Sequence, residues 1–193
     1  MNELAAILLA GGRGSRMGGV QKPLLEVGGR TLLAAAVTAA HEAGCDPIIA
    51  VGAPVVTTEG PIAPVIWVRE DPPFGGPAAA ILAALPLISA SRTLVLACDL
   101  PRVGAVVPLL RTAPAEADGA CLVDESGRRQ PLAGLYRTDA LRAAGAAMPE
   151  HGRGASVRAL LEGLQVTEVP ASDDIAADID TWDDLNEARR RNP

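Results

Sequence analysis

The stretch Leu8 to Leu25, LLAGGRGSRMGGVQKPLL, gathers five glycines with Arg13, Arg16 and Lys22 in one short connection. Lys22 is the only lysine of the chain, and no acid stands between Glu3 and Glu26. Glycine lets a backbone take positive φ and approach a ligand closely, leaving amide N–H groups free to point at an anion. The planar fork of arginine matches phosphate oxygens two at a time. Glycines and cations sharing one loop are therefore chemistry for a polyphosphate. The second candidate is Asp99, which ends the apolar run TLVLACDL two positions before Pro101. A carboxylate at the tip of a buried strand is costly unless a cation is near. Hard oxygen donors of this kind suit Mg2+, which one or two carboxylates hold together with substrate phosphates. Capping of the following helix is a second role open to Asp99, compatible with the first.

Two common phosphate motifs fail here. Gly12, Gly14 and Gly18 are spaced G-x-G-x-x-x-G, not the G-x-G-x-x-G of dinucleotide sites. Lys22 follows Gln21 and precedes Pro23, whereas a Walker A loop needs G-K-[ST]. No Ser–His–Asp set is evident; His41 falls in an expected helix and His151 in a polar stretch, and both read as surface residues.

The elements around these residues alternate. LAAILLA is a strand ended by Gly11 and Gly12, and TLLAAAVTAAHEAG is a helix with Thr31 as N-cap and Gly44 as its stop. PIIAVG and PVIWVRED are further strands, GPAAAILAAL is a helix with Pro77 in its first turn, and TLVLACDL is a strand running into Asp99. A helix over 106–111, a strand GACLV and a polar turn DESGRR follow, then helices over 138–147 and 156–163, a strand LQVTEV, and a last helix opening at Thr181. Strands apolar throughout are buried on both faces. With helices between them they predict a three-layer α/β/α Rossmann-like sandwich on a mainly parallel sheet. The region DESGRRQPLAGLY has the pattern of a hairpin, so the sheet is expected to be mixed. No repeat or linker interrupts the pattern, and residues 1–193 are expected to form one domain.

Composition narrows the class. The net charge is −6, and the only cationic run is the arginine cluster at the C-terminal end, which suits the last turn of a helix better than nucleic acid. Cys45, Cys98 and Cys121 fit no metal spacing and read as reduced, buried thiols. No run approaches the ~18 apolar residues of a membrane span. The start MNELAAILLAGG lacks the basic end and cleavage site of a signal peptide, so a soluble cytoplasmic protein is expected.

LAGGRGSRMGGVQKPLL resembles the L-A-G-G-x-x-x-R-M-G-x-x-x-K-x-L opening of nucleotidyltransferases of the nucleotide-diphospho-sugar transferase superfamily, and within it the molybdenum cofactor guanylyltransferases. REDPPFGGPAAAI is similar to the family's acid followed by G-P-L-A-G, and LACDLP to its C-D-x-P metal strand. RRQPLAGLY resembles Q-P-L-x-x-x-Y, and DIDTWDDL resembles N-x-N-T-P-E-D-L. The resemblance spans almost the whole chain in the family's order. It implies transfer of GMP from GTP to the phosphate of molybdopterin, with pyrophosphate leaving. The backbone of Leu9, Ala10, Gly11 and Gly12 would flank the base, and Arg13, Arg16 and Lys22 would hold the phosphates. Asp71 would contact the nucleoside, Asp99 and Asp180 (or Asp178) would hold Mg2+, and Gln130 and Pro131 would line the acceptor side. The family also implies docking to proteins that mature molybdoenzymes.

Two departures bear on the substrate. Many relatives have an acid where Gln21 stands, and D-I-D-T replaces N-x-N-T, as in the cytidylyl-transferring branch. That branch tends to carry A-A-G at the base loop, whereas Ala10-Gly11-Gly12 here leaves room for a purine and favours GTP. A cytidylyltransferase on the same cofactor, transfer to 2-phospholactate or a sugar phosphate, and an idle nucleotide-binding homologue are the competing readings. The last fits poorly with a chain that retains both Lys22 and Asp99.

Overall fold

The computed structural model describes residues 3–12, 17–55, 63–114 and 116–192. At its centre is β1 (Leu4–Leu9), whose first five residues are all buried. β1 pairs in parallel with β4 (Ile48–Val51) on one side and β6 (Arg92–Ala97) on the other. β5 (Ile66–Val68) continues the sheet in parallel beyond β4. On the opposite flank, β8 (Arg129–Arg137) runs antiparallel to both β6 and β7 (Gly119–Val123), and β9 (Val166–Pro170) closes the sheet parallel to β7. The order is β5-β4-β1-β6-β8-β7-β9, so one strand of seven runs against the rest. The short strands β2 (Glu26–Val27) and β3 (Arg30–Thr31) make a separate antiparallel pair.

Helices cover both faces, which is why the central strands need no polar side. Ala6, Leu8, Leu94 and Leu96 face one core with α1 (Leu32–Glu42) and α3 (Val103–Leu110). Ala5, Ile7, Ile49 and Val95 face the other, with α2 (Pro77–Ala84), α4 (Thr138–Ala146) and α5 (Val157–Leu160). The layered sandwich read from the sequence is the fold observed. Scarce aromatics leave the packing to Ala, Val, Leu and Ile, and Ala-rich faces let α1 and α2 lie close to the sheet.

Local signals set several boundaries. The Ala34 N–H donates to Thr31 Oγ1 at 3.2 Å, capping α1, and Gly44 ends that connection at φ 79°. α7 (Trp182–Arg191) opens with a capping box: Asp184 N–H donates to Thr181 Oγ1 at 3.2 Å, and Thr181 N–H donates to Asp184 Oδ2 at 2.7 Å. Other boundaries differ from expectation. α3 starts at Val103, before the expected 106, because Val103 already packs in the core. α5 is a single turn that stops short of Gly163, whose φ of 88° no continuing helix can accommodate. α6 (Asp173–Ala176) is one turn the sequence did not announce.

The hairpin expected at DESGRRQPLAGLY is β7-β8, turned at Asp124, whose Oδ1 accepts from the Ser126 and Arg128 N–H groups. Its register breaks between Cys121, opposite Gly134, and Leu122, opposite Gln130. Residues 131–133 therefore bulge from β7. Buried Tyr136 ties the bulge down, its hydroxyl donating to the Pro131 carbonyl at 2.8 Å. Gly119 and Gly134 leave the space that the Tyr136 ring fills. All three cysteines are buried and free, and burial pushes the Cys45 thiol up to about 12. Among the described residues, no helix is long and apolar enough to cross a membrane.

A Cβ on Gly134 would overlap the rigid Tyr136 ring. Gly134→Ala is expected to destabilise the fold by about 1–3 kcal/mol, the usual cost of overpacking, measured by urea unfolding.

Candidate functional site

The chain leaves β1 toward β4 on one side and later returns to β6 on the other, so β1 and β6 form the switch point where open α/β sheets bind ligands. A crevice of about 310 Å³ lies across these strand tips. Leu9, Gly11 and Gly12 line it after β1, and Val51 lines it at the end of β4. Glu70 and Phe74 line it beyond β5, Gly76 and Pro77 line it where α2 begins, and Ala97, Asp99 and Leu132 close the β6-β8 side. The Ala10 N–H donates to the Val51 carbonyl at 3.0 Å, holding the glycine loop against β4.

The charged residues converge from three distant parts of the chain. Lys22 opens a tight helical turn, Lys22–Leu24, made rigid by buried Pro23 and by the Leu25 N–H bond to the Lys22 carbonyl at 3.0 Å. Its Nζ donates to Asp180 Oδ1 at 2.6 Å and to Asp99 Oδ2 at 3.5 Å. Carboxylate oxygens of Asp99, Asp178 and Asp180 all lie within 4.8 Å of one another.

The D-I-D sequence makes that convergence possible. Ile179 is 1% exposed and packs with Met17, Val27, Leu32, Leu185 and Ala188 in a third, small core, while the acids on either side remain accessible. The Ile179 N–H donates to the Asp99 carbonyl at 3.0 Å, tying this segment to the end of β6. The Asp180 N–H donates to Asp184 Oδ2 at 3.0 Å, the carboxylate that also completes the capping box of α7. Met17 in the same small core fixes the end of the glycine loop. One cluster thus registers the loop, the strand tip and the last helix.

The electrostatics follow from crowding. Burial pulls the Lys22 ammonium down, but hydrogen bonding to Asp180 and the charge of Asp99 outweigh it and leave its pKa raised. Burial pushes the Asp99 carboxyl up; Lys22 opposes this and Asp178 adds to it, with a net rise. Two carboxylates paired with one ammonium, and a third beside them, leave an excess of negative charge. Such a set of hard oxygen donors fits a divalent cation such as Mg2+, with Asp99 and Asp180 as the half-buried pair and Asp178 exposed beside them.

Other expected site residues fall in varied places. Leu9, Gly11, Gly12 and Asp99 line the crevice, and Lys22 and Asp180 sit against Asp99. Arg13 and Arg16 lie outside the described residues. Asp71 is exposed and lines a neighbouring hollow with Glu70, Glu150, His151 and Arg153; of the two acids, Glu70 also lines the crevice. Gln130 donates to Asp124 Oδ2 at 3.0 Å, and Pro131 lines a separate hollow beside α5; Leu132, next on the bulge, reaches the crevice. Glu70, Phe74 and Leu132 were not singled out from the sequence. A lone phenylalanine inside a proline- and glycine-rich turn was the one available signal.

A glycine loop, a cation and clustered carboxylates at the switch point of such a sheet define a nucleotide-handling enzyme of the α/β class. The chain belongs to the MobA-like NTP transferase domain family, which matches residues 6–169, and it is a nucleotidyltransferase. It is 37% identical to a protein of Synechococcus elongatus named probable molybdenum cofactor guanylyltransferase, over 69% of this chain and 71% of that one. It is 30% identical to a molybdenum cofactor guanylyltransferase of Cupriavidus metallidurans over 96% and 94% of the two chains. The fold matches a nucleotidyl transferase of Methanothermobacter thermautotroptrophicus with TM-score 0.77 and 24% identity, covering 100% and 98% of the chains. It also matches molybdopterin-guanine dinucleotide biosynthesis protein A of Archaeoglobus fulgidus, with TM-score 0.66, 23% identity and 97% coverage of each.

Removing Lys22 deprives Asp99 of the group that lowers its pKa. A carboxyl raised on folding binds its proton more tightly when folded. It therefore costs stability above its folded pKa, and that cost fades as pH falls toward the ordinary value of 3.8. Lys22→Ala is expected to lose about 1–3 kcal/mol at neutral pH, with the deficit shrinking toward pH ~4, as measured by denaturant unfolding at both pH values.

Proposed function

We propose that this protein transfers GMP from GTP to the terminal phosphate of molybdopterin, releasing pyrophosphate, with Mg2+ held by Asp99 and Asp180. The observation that carries the reading is the pairing of Lys22 with Asp99 and Asp180, with Asp178 clustered against those two acids, at the end of the glycine loop. The printed names of the relatives supply the choice of guanine nucleotide and acceptor.

The acceptor phosphate attacks the α-phosphorus in line. Its second pKa is about 6, so it is already ionised at neutral pH and needs no general base. The enzyme's task is to align two anions and offset their repulsion. Gly11 and Gly12 line the crevice without side chains to block it, and α2 begins at its wall with Gly76 and Pro77, where the positive end of a helix dipole lies. Asp99 and Asp180 would hold the cation; the Lys22 ammonium beside them is the cation of this loop that would meet phosphate oxygens, and Arg13 and Arg16 belong to the same glycine-rich sequence. A bound Mg2+ supplies Lewis-acid neutralisation of the triphosphate and of the leaving pyrophosphate. Asp99 and Asp180 hold their places through the Ile179 N–H bond to the Asp99 carbonyl and the Asp180 N–H bond to the Asp184 carboxylate, so they arrive pre-organised. The acceptor enters over β8, where Leu132 lines the crevice next to Gln130 and Pro131.

A cytidylyl reading is favoured by one feature: Asp178 and Asp180 are both carboxylates. Gly11 counts on the other side. Its backbone is compatible with alanine, and an added Cβ would lie 3.5 Å from the Val51 carbonyl oxygen, so the fold has room for it. The added methyl narrows the crevice instead.

Pyrophosphate release with GTP, CTP, ATP and UTP against molybdopterin and several sugar phosphates is expected to show turnover with GTP and molybdopterin. Preference for CTP would overturn the base assignment, and turnover with sugar phosphates alone would overturn the acceptor. Asp99→Asn is expected to cut turnover at least ~10-fold and to weaken Mg2+ binding in calorimetry, with an unchanged melting curve. Gly11→Ala is expected to fold normally while the ratio of kcat/KM for GTP over CTP falls by roughly tenfold, the discrimination that one methyl group commonly supplies.

A further inference from the structure

The chain has four aromatic residues, and its one phenylalanine lies outside the three core clusters. Tyr136 is buried and Trp67 packs against the core, whereas Phe74 and, at the start of α7, Trp182 are 59% and 50% exposed. Phe74 is the aromatic residue that lines the crevice. Its backbone is left-handed, with φ 64°, a conformation that disfavours any side chain. The turn is held there from both sides. A Cβ on Gly75 would press on the Ala79 methyl of α2 at 2.9 Å, and the Gly75 carbonyl accepts from the Gly154 N–H at 2.7 Å. The guanidinium of Arg69 lies 5.6 Å from the centroid of the ring. A bulky apolar side chain kept exposed in a strained backbone, at the mouth of a ligand crevice, points to a ligand with a flat apolar face.

Position along the crevice selects which ligand. Lys22 and Asp99 fix the phosphates near the tips of β1 and β6, and Leu132 marks the acceptor side at β8. Phe74 lies at the opposite end, beyond β5, with Glu70, Val51 and Pro77. This end is the one left for the nucleoside. We propose that Phe74 stacks on the nucleobase of the bound triphosphate and that this stacking favours a purine, whose fused ring covers more of the phenyl face than a pyrimidine does. The proposal rests on the nucleotidyl-transfer reading and adds a residue that contributes to its base preference.

The test is equilibrium binding of GTP, CTP and inorganic tripolyphosphate, with Mg2+, to the wild type, Phe74→Ala, Phe74→Gly and Phe74→Tyr. Loss of the ring should weaken GTP ~10-fold, CTP by about threefold and tripolyphosphate not at all, since an aromatic-base stack is worth about that much and touches no phosphate. Phe74→Tyr should stay within about twofold of the wild type for all three. In turnover, the loss should fall on KM for GTP, with kcat within about twofold. Phe74→Gly should melt at or above the wild-type temperature, because glycine takes this φ freely and the lost ring is largely exposed. GTP affinity unchanged in Phe74→Ala and Phe74→Gly would overturn the stacking role while leaving nucleotidyl transfer intact. Parallel loss of tripolyphosphate would overturn it too, by showing that the turn only shapes the phosphate end. A wild type that binds no nucleotide would remove both readings.

Discussion

The site depends on one ion-paired junction. Lys22 reaches Asp180 at 2.6 Å and Asp99 at 3.5 Å, partners 158 and 77 residues away along the chain. Without it, three carboxylates within 4.8 Å would repel one another at the tip of the central sheet. The pairing is a resting arrangement as well as a structural one. It holds the acids in place while keeping an ammonium poised beside the loop that receives phosphates. The part-buried setting matters, because the same pair on an open surface would contribute little.

The junction is aimed by apolar packing. Ile179 anchors the D-I-D segment in a small core shared with Met17 of the loop and Leu185 of α7. Charge alone tolerates many arrangements of a lysine and three acids. A buried isoleucine with acids on either side, a strand-tip carbonyl accepting its N–H and a capping box at the next helix leave one arrangement. The antiparallel strand β8 plays a comparable part across the crevice, where its bulge, pinned by Tyr136 to Pro131, turns Leu132 toward the β6 side.

Much of this was legible in the residues. Strands apolar at every position can only be covered on both faces, so LAAILLA and TLVLACDL dictated a sandwich with a parallel centre. Thr31, Gly44, Pro77 and Thr181 marked helix ends because their effects are local, carried by one side-chain bond or one φ value. The concentration of glycines and cations between Leu8 and Leu25 marked the loop for the same reason. The short helices gave less away: α5 and α6 are single turns whose existence depends on what they pack against.

By itself, the sequence determined the layer architecture, the strand that carries Asp99 and the chemical character of the opening loop, since hydrophobic pattern and residue type act over a few neighbours. Only the tertiary structure decided which acids meet Lys22, because that depends on how α7 docks through Ile179 and Leu185. It also decided that Glu70 rather than its neighbour Asp71 lines the crevice, and that Leu132 rather than Pro131 does so. From Pro131 to Leu132, a shift of one residue in an extended chain turns the side chain from one hollow to another. Composition holds no record of that choice; the register of strand, bulge and turn sets it.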